Sequence, residues 1–126
     1  MEIFKGLGWS DEEFLAAVKK APFLVHLSEE NLRETMEFYV GRVGCHQSYI
    51  ASNPVLLLLS LEKRLRPRQY VMEVLKSNGI VGTWSLCFIM YLSEKKFVER
   101  FLHQYEEQVP KIHKQYIAAC AGQILI

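Results

Sequence analysis

The 126-residue chain has a single aspartate, Asp11, and it sits where a helix starts, a place its charge suits without any catalytic duty. The remaining acidic pairs, Glu12-Glu13, Glu29-Glu30 and Glu106-Glu107, fall at helix ends and read as exposed charge, not as acid/base dyads. There is no GxGxxG, no P-loop and no nucleophile elbow. His46, His103 and His113 have no ligand spacing with cysteine, and His26 lies in an apolar stretch that reads as core or interface. The chain is therefore read as a non-enzyme, with no cofactor and no metal.

Other absences narrow the class further. Cys45, Cys87 and Cys120 are odd in number and widely spaced, which argues against a disulfide framework and fits a reducing compartment. Cys87 reads as a small buried hydrophobe. No run reaches 18 apolar residues; the longest, Ile80 to Leu92, is about 13 residues and contains Gly, Thr and Ser, so no membrane span is expected. The start, Met1-Glu2-Ile3-Phe4-Lys5-Gly6, reads as neither a signal nor a transit peptide. Net charge is only +1. It is unevenly spread: residues 1–58 hold 5 Lys/Arg against 8 Asp/Glu, and residues 59–126 hold 10 against 6. That asymmetry hints at a polar task for one half.

What is present is one heptapeptide written three times: Pro22-Phe23-Leu24-Val25-His26-Leu27-Ser28, Pro54-Val55-Leu56-Leu57-Leu58-Leu59-Ser60 and Cys87-Phe88-Ile89-Met90-Tyr91-Leu92-Ser93. The serines recur at about 32 residues, a period that marks an all-α solenoid of stacked supersecondary units. Each serine is placed as a helix N-cap. Ser28 precedes Leu32, Met36, Tyr39, Val40 and Val43, with Gly44 as the stop. Ser60 precedes Leu61, Leu65, Val71, Val74 and Leu75, with Gly79 as the stop. Ser93 precedes Phe97, Val98, Phe101, Leu102 and Tyr105. Ser10 and Glu13 form a capping-box pattern before Phe14, Leu15, Val18 and Ala21. A short helix is predicted over Ser48 to Ser52, and the Pro-to-Ser stretches read as tight, buried 3₁₀ connectors. The third copy is degenerate: Cys87 stands for proline and Val81-Gly82-Thr83-Trp84 for the polar turn. A helical tail begins near Pro110 and carries Ile112, Tyr116 and Ala119. Trp9 and Trp84 read as packing residues. One domain over 1–126 is expected, and its uncapped ends read as places where the array continues or meets a protein partner.

Gly8-Trp9-Ser10-Asp11-Glu12-Glu13, Tyr49-Ile50-Ala51-Ser52-Asn53-Pro54, Ser60-Leu61-Glu62-Lys63-Arg64-Leu65-Arg66-Pro67-Arg68 and Leu92-Ser93-Glu94-Lys95-Lys96-Phe97 together resemble the plant mitochondrial transcription termination factor (mTERF) family. Leu27-Ser28-Glu29-Glu30 fits the same pattern, and the resemblance spans about residues 4 to 110. It implies a right-handed superhelix of motifs with two α-helices and a 3₁₀ turn. It implies a concave positive face that binds double-stranded nucleic acid. It also implies work in organelle transcription or RNA maturation, in the mitochondrion or the chloroplast.

The candidate contacts are Lys63, Arg64, Arg66 and Arg68, then Lys95, Lys96 and Arg100 one repeat later. Arg64 and Arg68 are four apart and share a helical face, and Pro67 is expected to kink or restart the helix. Arginine's planar fork suits phosphate. Lys111 and Lys114 follow in the last helix. Such cations hold backbone and carry no base information. The reading is thus double-stranded DNA binding in the regulation or termination of organelle transcription. Its alternatives are a protein-interaction scaffold, or a paralogue without nucleic-acid binding, and RNA binding in splicing or processing.

Overall fold

The computed structural model describes residues 4, 6–124 and 126, and over these the chain is helical with no strand. Most of the Met1–Gly6 start and Leu125 of the apolar tail lie outside the described residues. Two compact units form, Met1–Leu59 and Ser60–Ile126. The boundary falls where the charge balance of the sequence changes sign.

Unit 1 contains α1 (Asp11–Lys20), a 3₁₀ turn (Pro22–His26), α2 (Glu29–Glu37), α3 (Gln47–Ser52) and a second 3₁₀ turn (Pro54–Leu58). The caps are as the sequence predicts. Ser10 Oγ accepts from the Glu13 N–H at 3.1 Å and the Glu13 carboxylate accepts from the Ser10 N–H at 3.0 Å, a complete capping box. Ser28 Oγ accepts from the Asn31 N–H at 3.0 Å. Both prolines sit in the first turn of their 3₁₀ segments, where no N–H is required. Helix α2 runs on into a π turn, Phe38–Val43, which ends at Gly44. Gly44 has φ of 85°, a left-handed conformation that costs a glycine nothing and whose N–H closes on Tyr39. The Tyr39 hydroxyl then donates to the Leu56 carbonyl at 2.6 Å in the interior, tying the long helix to the second turn.

Three expectations for unit 1 need correction. The short helix starts at Gln47, because His46 Nδ1 accepts from the Ser48 N–H and serves as its cap. The second 3₁₀ turn is buried at Pro54, Leu56 and Leu57, but the first buries only Leu24. His26 is exposed beside Phe23, so it is not a core residue. Trp9 is a packing residue as predicted: it is buried and stacks on Phe4 at 5.1 Å.

Unit 2 opens on a π turn, Leu61–Leu65, that leads into α4 (Arg66–Ser77). Pro67 has no N–H to give an i−4 carbonyl and stands in the first turn of α4, where the π turn passes into the α-helix; Leu65 and Arg66 are both in right-handed helical conformation, so the helix runs through the proline without restarting. The Leu65 N–H reaches back five residues to the Ser60 carbonyl at 3.0 Å. Gly79 (φ 79°) ends the helix, and the Ile80 N–H returns to the Leu75 carbonyl. Next comes α5 (Leu86–Tyr91), then α6 (Glu94–Phe97), which continues through a π turn (Val98–Leu102) and a 3₁₀ turn (His103–Tyr105), and finally α7 (Ile112–Cys120).

The degenerate third copy differs from the other two in a definite way. No short helix forms over 80–85, because Val81-Gly82-Thr83 are poor helix formers. Ser85 Oγ instead caps the next segment through the Phe88 N–H. With no proline at Cys87, that segment is α-helical and not 3₁₀. Cys87 is half-buried and not a core residue. Helix α7 begins two residues after Pro110 and buries Ile112, Tyr116 and Ala119. Trp84 packs edge-on against Phe101 at 4.9 Å.

Candidate nucleic-acid interface

The candidate cations all lie in unit 2, on the starts of its two serine-capped helices. Ser60 Oγ accepts from the Lys63 N–H at 3.2 Å, and Ser93 Oγ accepts from the Lys96 N–H at 3.3 Å. Each cap fixes the local backbone, and with it the direction in which the following side chains leave the helix.

Arg64 and Arg68 share a face, but the face points inward. Arg68 is 0% exposed. Its Nη1 donates to the carbonyls of Ile89 at 2.8 Å, Met90 at 3.3 Å and Leu92 at 2.8 Å. Arg64 Nη1 donates to the same Met90 carbonyl at 3.1 Å and is half-buried. These are the last carbonyls of α5, which have no partner within their own helix and sit at its negative end. The Arg68 guanidinium also lies 4.5 Å over the Phe97 ring of α6. Burial pushes the Arg68 pKa down, with the neighbouring Tyr116 opposing that shift. Among the described residues its Nε and Nη2 have no hydrogen-bond partner. The reading of Arg68 as a phosphate contact is therefore corrected: its Nη1 is spent on backbone carbonyls, and the whole guanidinium is shut away from solvent.

The remaining candidates are accessible. Lys63 is exposed; Arg66 is one-third exposed and pairs with Glu62 at 3.0 Å. Both line an open groove of about 440 Å³ that also borders Cys120 and Ile124. Burial raises the Cys120 thiol above its usual range. Lys95, Lys96 and Arg100 are exposed, and among the described residues neither lysine is engaged in an ion pair. Lys96 and Arg100 share a second open groove, about 480 Å³, with Phe88, Leu92, Glu99 and Gln104. There the Arg100 guanidinium lies 5.2 Å over the Phe88 ring. The seven candidates thus divide into one core residue, one half-buried residue and five accessible cations, four of them in the two grooves: Lys63 and Arg66 in one, Lys96 and Arg100 in the other.

Two features of unit 2 carry no signal in the spacing. The Tyr116 hydroxyl donates to the Glu94 carboxylate at 2.6 Å, and the Tyr70 hydroxyl to Gln115 at 3.3 Å, so α7 is bonded to both α6 and α4. Burial, then the bond to Glu94, pushes the Tyr116 phenol well above its usual range. His103 and His113 lie ring against ring at 5.1 Å. No group of three or more possible metal ligands occurs among the described residues.

Residues 1–98 match the mTERF family profile, more than half of the chain. The chain belongs to the mTERF family. The match covers unit 1 and continues in unit 2 as far as the turn after Phe97, so α7 lies beyond it. A 91-residue stretch, 71% of the chain, is 30% identical to "Transcription termination factor MTERF15, mitochondrial" of Arabidopsis thaliana. The chain spans about a fifth (20%) of the length of that curated relative. No solved structure matches at a significant level. Among the described residues, no helix is long and apolar enough to cross a membrane.

Proposed function

We propose that this mTERF chain binds the backbone of double-stranded DNA through Lys63, Arg66, Lys95, Lys96 and Arg100, and acts in the regulation or termination of organelle transcription. The observation that carries the reading is family membership joined to exposed cations at the starts of two serine-capped helices one repeat apart. Arg64 can lend its remaining donors at the edge. Arg68 holds the scaffold. In this reading residues 1–126 form one right-handed helical-repeat domain, and the two grooves follow successive phosphates. The mitochondrial name of the Arabidopsis relative favours the mitochondrion over the chloroplast. Catalysis has no part in the proposal.

A net charge of only +1 favours a second reading, a protein-interaction scaffold with no nucleic-acid contact. A salt series separates the two. For a random-sequence DNA duplex, log affinity should fall with log salt at a slope of roughly −0.9 per phosphate contact. Lys63/Lys95/Lys96/Arg100→Ala should flatten that slope while the helical signal stays intact. A duplex RNA of the same length, run in parallel, tests RNA as the ligand. No binding at low salt by the folded chain would leave the scaffold reading in place.

A further inference from the structure

A full turn of chain separates His103 from His113, and the fold brings their rings together. His103 opens the 3₁₀ turn that ends the Ser93 helix, and His113 is the second residue of α7. Backbone bonds fix the reversal between them. The Glu106 N–H donates to the His103 carbonyl at 3.3 Å, and the Val109 N–H to the Tyr105 carbonyl at 2.9 Å. The Ile112 N–H then donates to the Val109 carbonyl at 3.2 Å, where α7 begins. Packing holds the other side: Ile112 and Tyr116, which flank His113 on α7, are buried, and Tyr116 is bonded to Glu94.

The two rings are accessible, His103 exposed and His113 half-buried. Their centroids lie 5.1 Å apart and their planes are inclined at 67°. An imidazole nitrogen binds Zn²⁺ at about 2.0–2.1 Å, so two rings that share one tetrahedral ion have centroids about 5 Å apart. Rings stacked face to face aim their nitrogens in parallel and cannot share an ion; inclined rings can. The pair already stands at the spacing that a shared ion requires. Charge in the connecting turn is balanced, with Glu106 and Glu107 offset by Lys111 and Lys114. The other histidines are placed differently: His46 Nδ1 caps α3, and His26 lies beside the Phe23 ring.

We propose that His103 and His113 form a two-histidine site for a first-row divalent transition-metal ion, which clips the end of the Ser93 helix to the start of α7. No group of three ligands occurs among the described residues, so the remaining positions on the ion are left to water. Imidazole ligands suit Cu²⁺, Ni²⁺ and Zn²⁺, with Cu²⁺ held most tightly. An ion that bridges the two elements in the folded chain, and not in the unfolded one, stabilises unit 2 by mass action. The site is independent of the nucleic-acid reading.

Calorimetric titration of the untagged full chain with Ni²⁺, together with electron paramagnetic resonance of its Cu²⁺ complex, tests this. The wild-type chain should take up a single Ni²⁺, and its thermal midpoint should rise with Ni²⁺ concentration. The Cu²⁺ spectrum should show two imidazole nitrogens, a count that needs no variant. His103→Gln and His113→Gln, each confirmed as folded by circular dichroism, should weaken Ni²⁺ binding about tenfold or more. Each should also abolish the rise in midpoint and leave one imidazole nitrogen on Cu²⁺. His26→Gln should behave as wild type. A wild-type chain that takes up no Ni²⁺ at millimolar concentration overturns the proposal, and the ring contact is then packing alone. So does uptake that survives both histidine variants, uptake that leaves the midpoint unmoved, or a wild-type Cu²⁺ spectrum with a single imidazole.

Discussion

Replacing Arg68 by methionine asks whether this arginine serves the core or a ligand. The substitution keeps much of the side chain's length and removes its charge. It takes away the Nη1 bonds to Ile89, Met90 and Leu92 and the contact over Phe97. Met90 keeps a donor from Arg64 at 3.1 Å, so two carbonyls, of Ile89 and Leu92, lose this partner. Each buried, unsatisfied carbonyl costs about 1–3 kcal/mol. Relief acts in the other direction, because a desolvated guanidinium with an unpartnered Nε and Nη2 disappears. In a buried ion pair both charges can be replaced together and the penalty vanishes. Here the acceptors are backbone and remain, so the loss prevails. We expect a net destabilisation of about 2–4 kcal/mol. Urea unfolding followed by circular dichroism measures it, with Arg66→Met as the control. Arg66 is one-third exposed and pairs with the exposed Glu62, so its replacement should change stability by less than about 1 kcal/mol. If Arg68→Met unfolds with the same midpoint as Arg66→Met yet loses DNA affinity, the core assignment of Arg68 is wrong.

Three further perturbations probe the scaffold. Tyr39→Phe removes the buried bond to the Leu56 carbonyl and should cost about 1–3 kcal/mol in urea unfolding, since that carbonyl then has no phenol to serve it. Tyr116→Phe and Glu94→Ala each remove one partner of a 2.6 Å bond, so a double-mutant cycle should return a coupling of about 1 kcal/mol; strict additivity would mean the bond contributes nothing. Glu13 has its pKa lowered, first by the bond from the Ser10 backbone. A depressed carboxylate supports folding above its unfolded pKa, and that support disappears as pH falls through the folded one. Acid should therefore fray α1 in the wild-type chain, and Glu13→Ala should remove this part of the pH dependence of helicity.

The serine caps, the proline-led 3₁₀ turns and the glycine stops were legible because each rests on bonds within a few residues along the chain. Gly44 and Gly79 read correctly for the same reason: a left-handed stop is a local backbone requirement. The three π turns were not legible, since their five-residue reach depends on which side chains the core accepts. The missing short helix in the third copy lay between these cases. Its composition was visible as degenerate, and with no proline at Cys87 the segment became an α-helix capped by Ser85.

The candidate site shows the same division. That unit 2 carries the excess of cations is a property of the sequence alone. Which cations are available is not. Arg68 had a signal: it stands at helical spacing between Leu65 and Val71, both fully buried, and so on the core stripe of its helix. An arginine on that stripe is tolerable only where orphaned carbonyls await it. Those carbonyls belong to Ile89, Met90 and Leu92, 21 to 24 residues further along. Sequence determined the repeat, the caps and the charge of each half, because short-range hydrogen bonding and composition suffice for them. Only the tertiary structure decided that Arg68 is buried on that face, because burial of a charged group depends on partners that folding alone brings within reach.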